Sequence, residues 1–239
     1  RAVSQKIREM RYVELMAFLG EVNRPPGGKT SIRTVVQNCF ITKDSKVLDV
    51  GCNTGYCAFE IAHLAKCRVQ GIDISGEMVA AAEKIRGKDP LKKLVNFRIA
   101  DAALLPFRNE TFDVVVSGGS TAFMGDMEKA LGEFKRVLKP WGFIADINFF
   151  YQSRPPSGLI RRLNTLMGTN IKPWGLGYWL QLYDVCGLER YFISQGVVNR
   201  VSRQRIEEYC AKMVRGLGLQ MGSADVLKQK LLQIIGTYY

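Results

Sequence analysis

Histidine is almost missing from this chain: His63 is the only one among 239 residues. The six cysteines (Cys39, Cys52, Cys57, Cys67, Cys186 and Cys210) include no C-x-x-C pair. Together these absences argue against a zinc centre, and no metal ligands are assigned. No apolar run reaches the roughly 20 residues needed to cross a bilayer. No signal-peptide pattern opens the sequence, so a cytoplasmic location is expected, with the scattered cysteines as reduced, buried thiols. No internal repeat or low-complexity tract is present, and no Pro-Cys pair offers a cytosine-C5 nucleophile.

What is present is organised around Val47-Leu48-Asp49-Val50-Gly51-Cys52-Asn53-Thr54-Gly55. A β-branched apolar run enters a loop with two glycines, and a helical pattern follows over residues 56–66, as in the opening of a βαβ unit. Gly51 and Gly55 let the backbone turn sharply and would let a ligand approach where a Cβ would clash. The N–H groups of the first helical turn would then face that ligand. A dinucleotide fingerprint, G-x-G-x-x-G counted from Gly51, would need glycines at Asn53 and Tyr56, and both are missing. No Gly-Lys-Ser/Thr follows the turn, which excludes a phosphate-binding P-loop there.

The pattern that fits is Asp-x-Gly-x-x-x-Gly, followed by Asp73 at the end of the next strand-like run (68–72) and Asp101 after a third (95–100). Residues 113–117 make a fourth strand ending in Ser117-Gly118-Gly119-Ser120, and residues 143–149 a fifth. Ser75 and Asp126 are placed to cap the intervening helices. Strands alternating with helices at this spacing predict a parallel, doubly wound sheet. Over about residues 46–149 the chain resembles the class I S-adenosylmethionine-dependent methyltransferases, within the broad small-molecule, methyltransferase type 11-like group. The resemblance implies an α/β, seven-stranded Rossmann-like sheet with N-terminal helices and an inserted helical cap.

It also implies a division into a helical lid (1–45), a cofactor-binding core (46–150), a substrate-side cap (151–186) and a C-terminal part completing the fold (187–239). In that last part, residues 188–194 and 197–201 are expected to form a hairpin turning at Gln195-Gly196. Residues 3–19 read as one amphipathic helix, and Thr30 or Ser31 as the cap of the helix after Pro25-Pro26-Gly27-Gly28.

S-adenosylmethionine is the cofactor implied. The resemblance assigns Asp49 to its amino-acid end, Asp73 to its ribose, and Asp101 and Ala102 to its adenine, with Gly51, Cys52, Asn53, Gly55 and Ile74 as further cofactor-binding residues. Ser117 is expected to face the methyl group. Tyr12, Gly28, Trp174 and Tyr178 are candidates for the acceptor side, and no catalytic base stands out.

The formal charge of +12 is unevenly placed. Residues 1–48 carry +5, residues 49–150 are neutral and residues 151–239 carry +7. The bland reading is a solvated basic surface. The sharper one is an anionic acceptor, either a small molecule or a lipid headgroup, with peripheral contact to a membrane surface. Nucleic acid is disfavoured, because the position after the fourth strand lacks the Asn/Asp-Pro-Pro-Tyr element of base-amino methyltransferases. RNA or peptide methylation, or a non-catalytic cofactor-binding scaffold, are the alternatives.

Overall fold

The computed structural model describes residues 2–19, 24–198 and 201–238. In chain order the elements are α1 (Ala2–Glu9), α2 (Tyr12–Leu19), α3 (Gly28–Asn38), β1 (Lys46–Val50), α4 (Tyr56–Ala65), β2 (Arg68–Asp73), α5 (Gly76–Arg86), β3 (Val95–Ile99), β4 (Phe112–Ser117), α6 (Met127–Val137), β5 (Leu138–Asp146), α7 (Ser157–Met167), α8 (Leu176–Val185), α9 (Arg203–Arg215) and α10 (Met221–Tyr238). They fall into two compact units. One holds residues 22–152 and 174–194, the other residues 1–21, 153–173 and 195–239.

The first unit is built on a parallel five-stranded sheet in the order β3-β2-β1-β4-β5. β1 is central, with Val47 paired to Val69 on one side and to Val114 on the other. Its apolar residues are buried on both faces, as expected for a parallel strand covered by helices. Val47, Val69, Val114 and Val116 pack with α3 and α4 residues such as Ile32, Ala58 and Ile61. Leu48, Val50, Ile72 and Val115 pack with Ala130, Leu131, Phe134, Trp179 and Leu182 from α6 and α8. The caps read from sequence form: Ser75 Oγ accepts from the Met78 amide at 3.3 Å, and Asp126 Oδ1 from the Lys129 amide at 2.9 Å.

The expected count of seven strands is not met, since the described residues form five. Residues 188–198 take no strand pairing and are almost all exposed, and residues 199–200, within the second arm (197–201) of the expected hairpin, lie outside the described residues. One residue of this stretch, Tyr191, attaches by ring contact. Tyr191 lies 5.4 Å from Phe143 of β5 and 6.4 Å from Phe40, ring centre to ring centre. Aromatic residues raise strand propensity, yet a strand also needs a neighbouring backbone to pair with.

The second unit is helical. The stretch read as one helix over 3–19 is two, α1 and α2. Arg11 precedes α2, and Glu14 reaches back to the Arg11 amide at 3.0 Å, half of a capping box. Lys230 of α10 donates to the carbonyls of Ile7, Arg8 and Met10 at the end of α1. A cation at a helix C-terminus satisfies carbonyls that have no partner within the helix. Among the described residues no helix is long and apolar enough to cross a membrane.

Candidate functional site

The C-terminal edge of a parallel sheet is where open α/β folds bind ligands, and the candidate residues gather along it. The loop from β1 to α4 carries three left-handed residues, Gly51 (φ 66°), Asn53 (φ 49°) and Gly55 (φ 90°). Asn tolerates this region through local hydrogen bonds, and Asn53 Nδ2 donates to the Gly51 carbonyl at 3.0 Å.

Packing within the protein also requires both glycines. A Cβ on Gly51 would fall 2.2 Å from Ser120 Cβ. One on Gly55 would fall 2.6 Å from the Phe97 ring and 2.7 Å from the Phe59 ring. The space beside both is already filled.

Asp73, at the end of β2, ties this loop in place. One carboxylate oxygen accepts from the Asn53 amide and the other from the Ser75 amide, both at 2.9 Å. A carboxylate offers about four lone-pair sites, so Asp73 can still receive two hydroxyl donors. Burial raises its pKa, and the amides of Ser75, Asn53 and Ile74 oppose that rise. Beside it, Ile74 is 73% exposed, Ile99 58% and Leu104 73%. These leave an uncovered apolar surface near the ends of β2 and β3. Asp101 caps the turn after β3, with Oδ1 accepting from the Ala103 amide at 2.8 Å, and Ala102 is half-buried beside it.

Asp49 is buried inside β1, registered between Gly71 and Val116. Both of its carboxylate oxygens lack a hydrogen-bond partner. Burial pushes its pKa up to about 7, the Asp73 charge adds to the rise, and the Ala58 amide in the first turn of α4 offsets part of it without completing a hydrogen bond. Cys52 is buried at the loop, and burial with the nearby Asp49 and Asp73 charges raises its thiol pKa.

Ser117, ending β4, is fully buried. Its hydroxyl lies 2.9 Å from Ser120 Oγ and 2.8 Å from Thr121 Oγ1. Ser120 donates onward to the Val50 carbonyl at 2.6 Å, which locks the β4 corner to β1. The residues sequence reasoning missed adjoin this corner. Asp146 pairs with Ser117 across β4 and β5. Its Oδ1 accepts from Thr121 Oγ1 at 2.8 Å and its Oδ2 from the Tyr183 hydroxyl at 2.9 Å. Asn148 Nδ2 donates to that same hydroxyl at 3.3 Å. The available signal was position: Asp146 ends a strand, as Asp73 does.

Gly28, at the start of α3, belongs to the Pro25-Pro26-Gly27-Gly28 turn, and its amide donates to the Pro25 carbonyl at 2.8 Å. The helix is capped by left-handed Gly27, not by Thr30 or Ser31, because Ser31 Oγ is spent on the Pro26 carbonyl at 2.6 Å. Both prolines approach the β4 corner. A Cβ on Gly118 would lie 3.5 Å from Pro25, and one on Gly119 3.4 Å from Pro26. Trp174 and Tyr178 stack at 5.1 Å, with Tyr178 partly exposed, while Trp179 is core. Tyr12 lies in α2, within the helical unit, and is half-buried.

The sheet order, the glycine loop and the acidic strand ends define a nucleotide-binding α/β enzyme of the methyltransferase type. A family profile described as a methyltransferase domain matches residues 48–145. The chain is 31% identical to an uncharacterised methyltransferase, YodH, of Bacillus subtilis over 137 residues, covering 57% of each protein. It is 31% identical to a phosphatidylethanolamine N-methyltransferase of Cereibacter sphaeroides over 146 residues, covering 60% of this chain and 66% of that one. The chain thus spans somewhat more than half the length of these relatives. The crystal structure of the MccD protein superposes with a TM-score of 0.75 at 26% identity, covering 91% of this chain and 92% of that one. These similarities support a class I S-adenosylmethionine-dependent methyltransferase, with S-adenosylmethionine as the cofactor.

Proposed function

We propose that the enzyme methylates a small molecule or a lipid headgroup, at nitrogen or oxygen, by direct displacement. The observation that carries this reading is the division of the sheet's C-terminal edge. The ends of β1, β2 and β3 present groups suited to the cofactor, while those of β4 and β5 present a separate polar corner for an acceptor.

The cofactor fits the residues in hand. Asp49 is a buried carboxylate with two orphaned oxygens, and the ammonium of the cofactor's amino-acid end would relieve it directly or through water. Asp73 would take the ribose diol, with hydrogen bonds to a charged group contributing roughly 1.5–3 kcal/mol each. The exposed Ile74, Ile99 and Leu104 would be covered by the adenine ring, with Asp101 and Ala102 at its polar edge. Asn53, Cys52 and the two glycines shape the loop.

When bound, the cofactor supplies the activated methyl group, so the chain's own work is alignment. Positioning of this kind contributes on the order of 7–11 kcal/mol. Gly28, Trp174 and Tyr178 are assigned to the acceptor side. The basic flanks suit an acceptor with an anionic group, and the similarity to a phosphatidylethanolamine N-methyltransferase supports a headgroup-like molecule.

The test is a methyl-donor turnover screen with purified protein against amines, phenols, carboxylates and phospholipid headgroups. Methyl transfer to at least one of these classes is expected. Transfer to RNA alone, or to a peptide alone, would overturn the reading.

A further inference from the structure

We propose that the corner formed by Asp146, Tyr183 and Asn148 is a recognition site for an amine, and that the atom methylated is nitrogen. This rests on the methyltransferase reading above and deepens it.

The hydroxyl hydrogens of the corner can be followed one by one. Ser120 spends its hydroxyl hydrogen on the Val50 carbonyl. Thr121 spends its own on Asp146 Oδ1, so its oxygen is left to accept from Ser117. Tyr183 spends its hydrogen on Asp146 Oδ2, and its oxygen accepts from Asn148 Nδ2. The hydroxyl hydrogens of Thr121 and Tyr183 thus both end on Asp146, an arrangement that suits a carboxylate and leaves a protonated acid without an acceptor for its own proton.

Among the described residues, no Lys or Arg forms an ion pair with that carboxylate. Asn148 Oδ1 is buried and also lacks a partner. Asn148 and Ser117 also lend hydrogen bonds to the Asp146 carboxyl, so the corner holds a negative charge beside an orphaned amide oxygen. That oxygen lacks a donor.

Asp146 keeps part of its residue surface in solvent, although protein surrounds the carboxyl closely enough to raise its pKa. It stands beside Ser117 at the switch from β1 to β4, next to the cofactor end of the site.

The chemistry of the acceptor follows from that deficit. A phosphate or carboxylate oxygen brings no hydrogen and is repelled by Asp146. A hydroxyl brings one hydrogen. A primary or secondary amine brings one or two, and its protonated form one more. In the transfer the nitrogen lone pair forms the new bond to the methyl carbon, the carbon–sulfur bond breaks, and its electron pair stays on sulfur. Positive charge passes from sulfur to nitrogen, and Asp146 stabilises it there. The new ammonium then loses a proton to Asp146 or to water, unless it leaves charged. An anionic group elsewhere on the same molecule remains compatible with the basic flanks.

The experiment uses the full chain loaded with S-adenosylhomocysteine and matched pairs of probes in a calorimeter: ethanolamine against ethylene glycol, and 2-phenylethylamine against 2-phenylethanol. The amine of at least one pair is expected to bind roughly tenfold or more tighter than its alcohol, as sites built around buried polar groups discriminate strongly. Asp146→Asn should bring that ratio close to one while the affinity for S-adenosylhomocysteine stays unchanged. The wild-type comparison needs no variant to fold. Pairs bound equally, or not at all, or a preference that survives Asp146→Asn, overturn the amine site and leave the cofactor reading intact. Failure to bind S-adenosylhomocysteine in the first place overturns the reading beneath it.

Discussion

Replacing Asp49 by Asn should set stability and cofactor binding against each other. In the ligand-free protein this carboxyl is buried with both oxygens unpartnered, and its pKa rises to about 7. An ordinary aspartate titrates near 3.9, so the shift corresponds to about 4 kcal/mol. For an acid whose folded-state pKa is raised, the folded form holds the proton more tightly than the unfolded chain. Stability is therefore fullest below the unfolded value, falls as pH rises, and levels off above the folded value. Between about pH 5 and about pH 8 the wild-type protein should lose roughly 3 kcal/mol from this group alone.

Asp49→Asn has no charge to bury, so its stability should not follow that decline. The amide leaves its own donors unsatisfied, at a cost of about 1–3 kcal/mol. The variant should accordingly be the weaker protein at pH 5 and match or exceed the wild type at pH 8. Cofactor affinity should fall at both, because the orphaned charge no longer meets the ligand's ammonium. Denaturant unfolding of the ligand-free proteins at three pH values, with calorimetry of S-adenosylhomocysteine, reads both quantities. Parallel stability curves for the two proteins would refute the reasoning.

Asp73→Ala should lose about 2–4 kcal/mol of S-adenosylhomocysteine affinity by calorimetry, since the ribose diol loses its charged acceptor; unchanged binding would remove Asp73 from the site. Gly55→Ala combines a φ of 90° with a Cβ 2.6 Å from Phe97, and should cost about 1–3 kcal/mol in a denaturant titration. Raised salt should weaken the apparent affinity for an anionic acceptor more than that for the cofactor, because screening acts over a Debye length of about 8–10 Å on exposed charges. Arg161 and Arg162 are exposed, and their joint replacement by Gln should flatten that salt dependence in steady-state kinetics. Lys29 already pairs with Glu60 at 2.9 Å, so Lys29→Gln should do less.

β1, β2 and β4 were legible because runs of Val, Ile and Leu stop at the Gly51 turn, at Asp73 and at Ser117. The fifth strand was legible only in part: it runs Leu138–Asp146, through the Pro140-Trp141-Gly142 stretch that reads as a turn, and stops short of residue 149. The helix starts at Ser75 and Asp126 were legible from their capping side chains. Helix starts that depend on backbone were not. Gly27 begins α3 in a left-handed conformation, and no side-chain pattern announces it. Residues 188–198 misled because Tyr191, Phe192 and Ile193 favour a strand by their side chains alone, whereas a strand requires a partner main chain. The Asp146 corner stayed hidden because its partners, Thr121 and Tyr183, come from segments far apart in sequence, and only the fold brings them together.

The closeness of Gly118 to the first turn of α4 ties two distant positions together. A side chain at position 118 would meet Cys57 Sγ at 2.7 Å, whereas Pro25 lies at ordinary contact distance, and a residue at 119 would strain a φ of 99°. A relative that enlarges position 118 must also shrink or turn the side chain at 57, so substitutions at 57 and 118 should arise together. Grafting the loop after β4 from another methyltransferase would carry the same condition. The donor's own residue at position 57 must come with it.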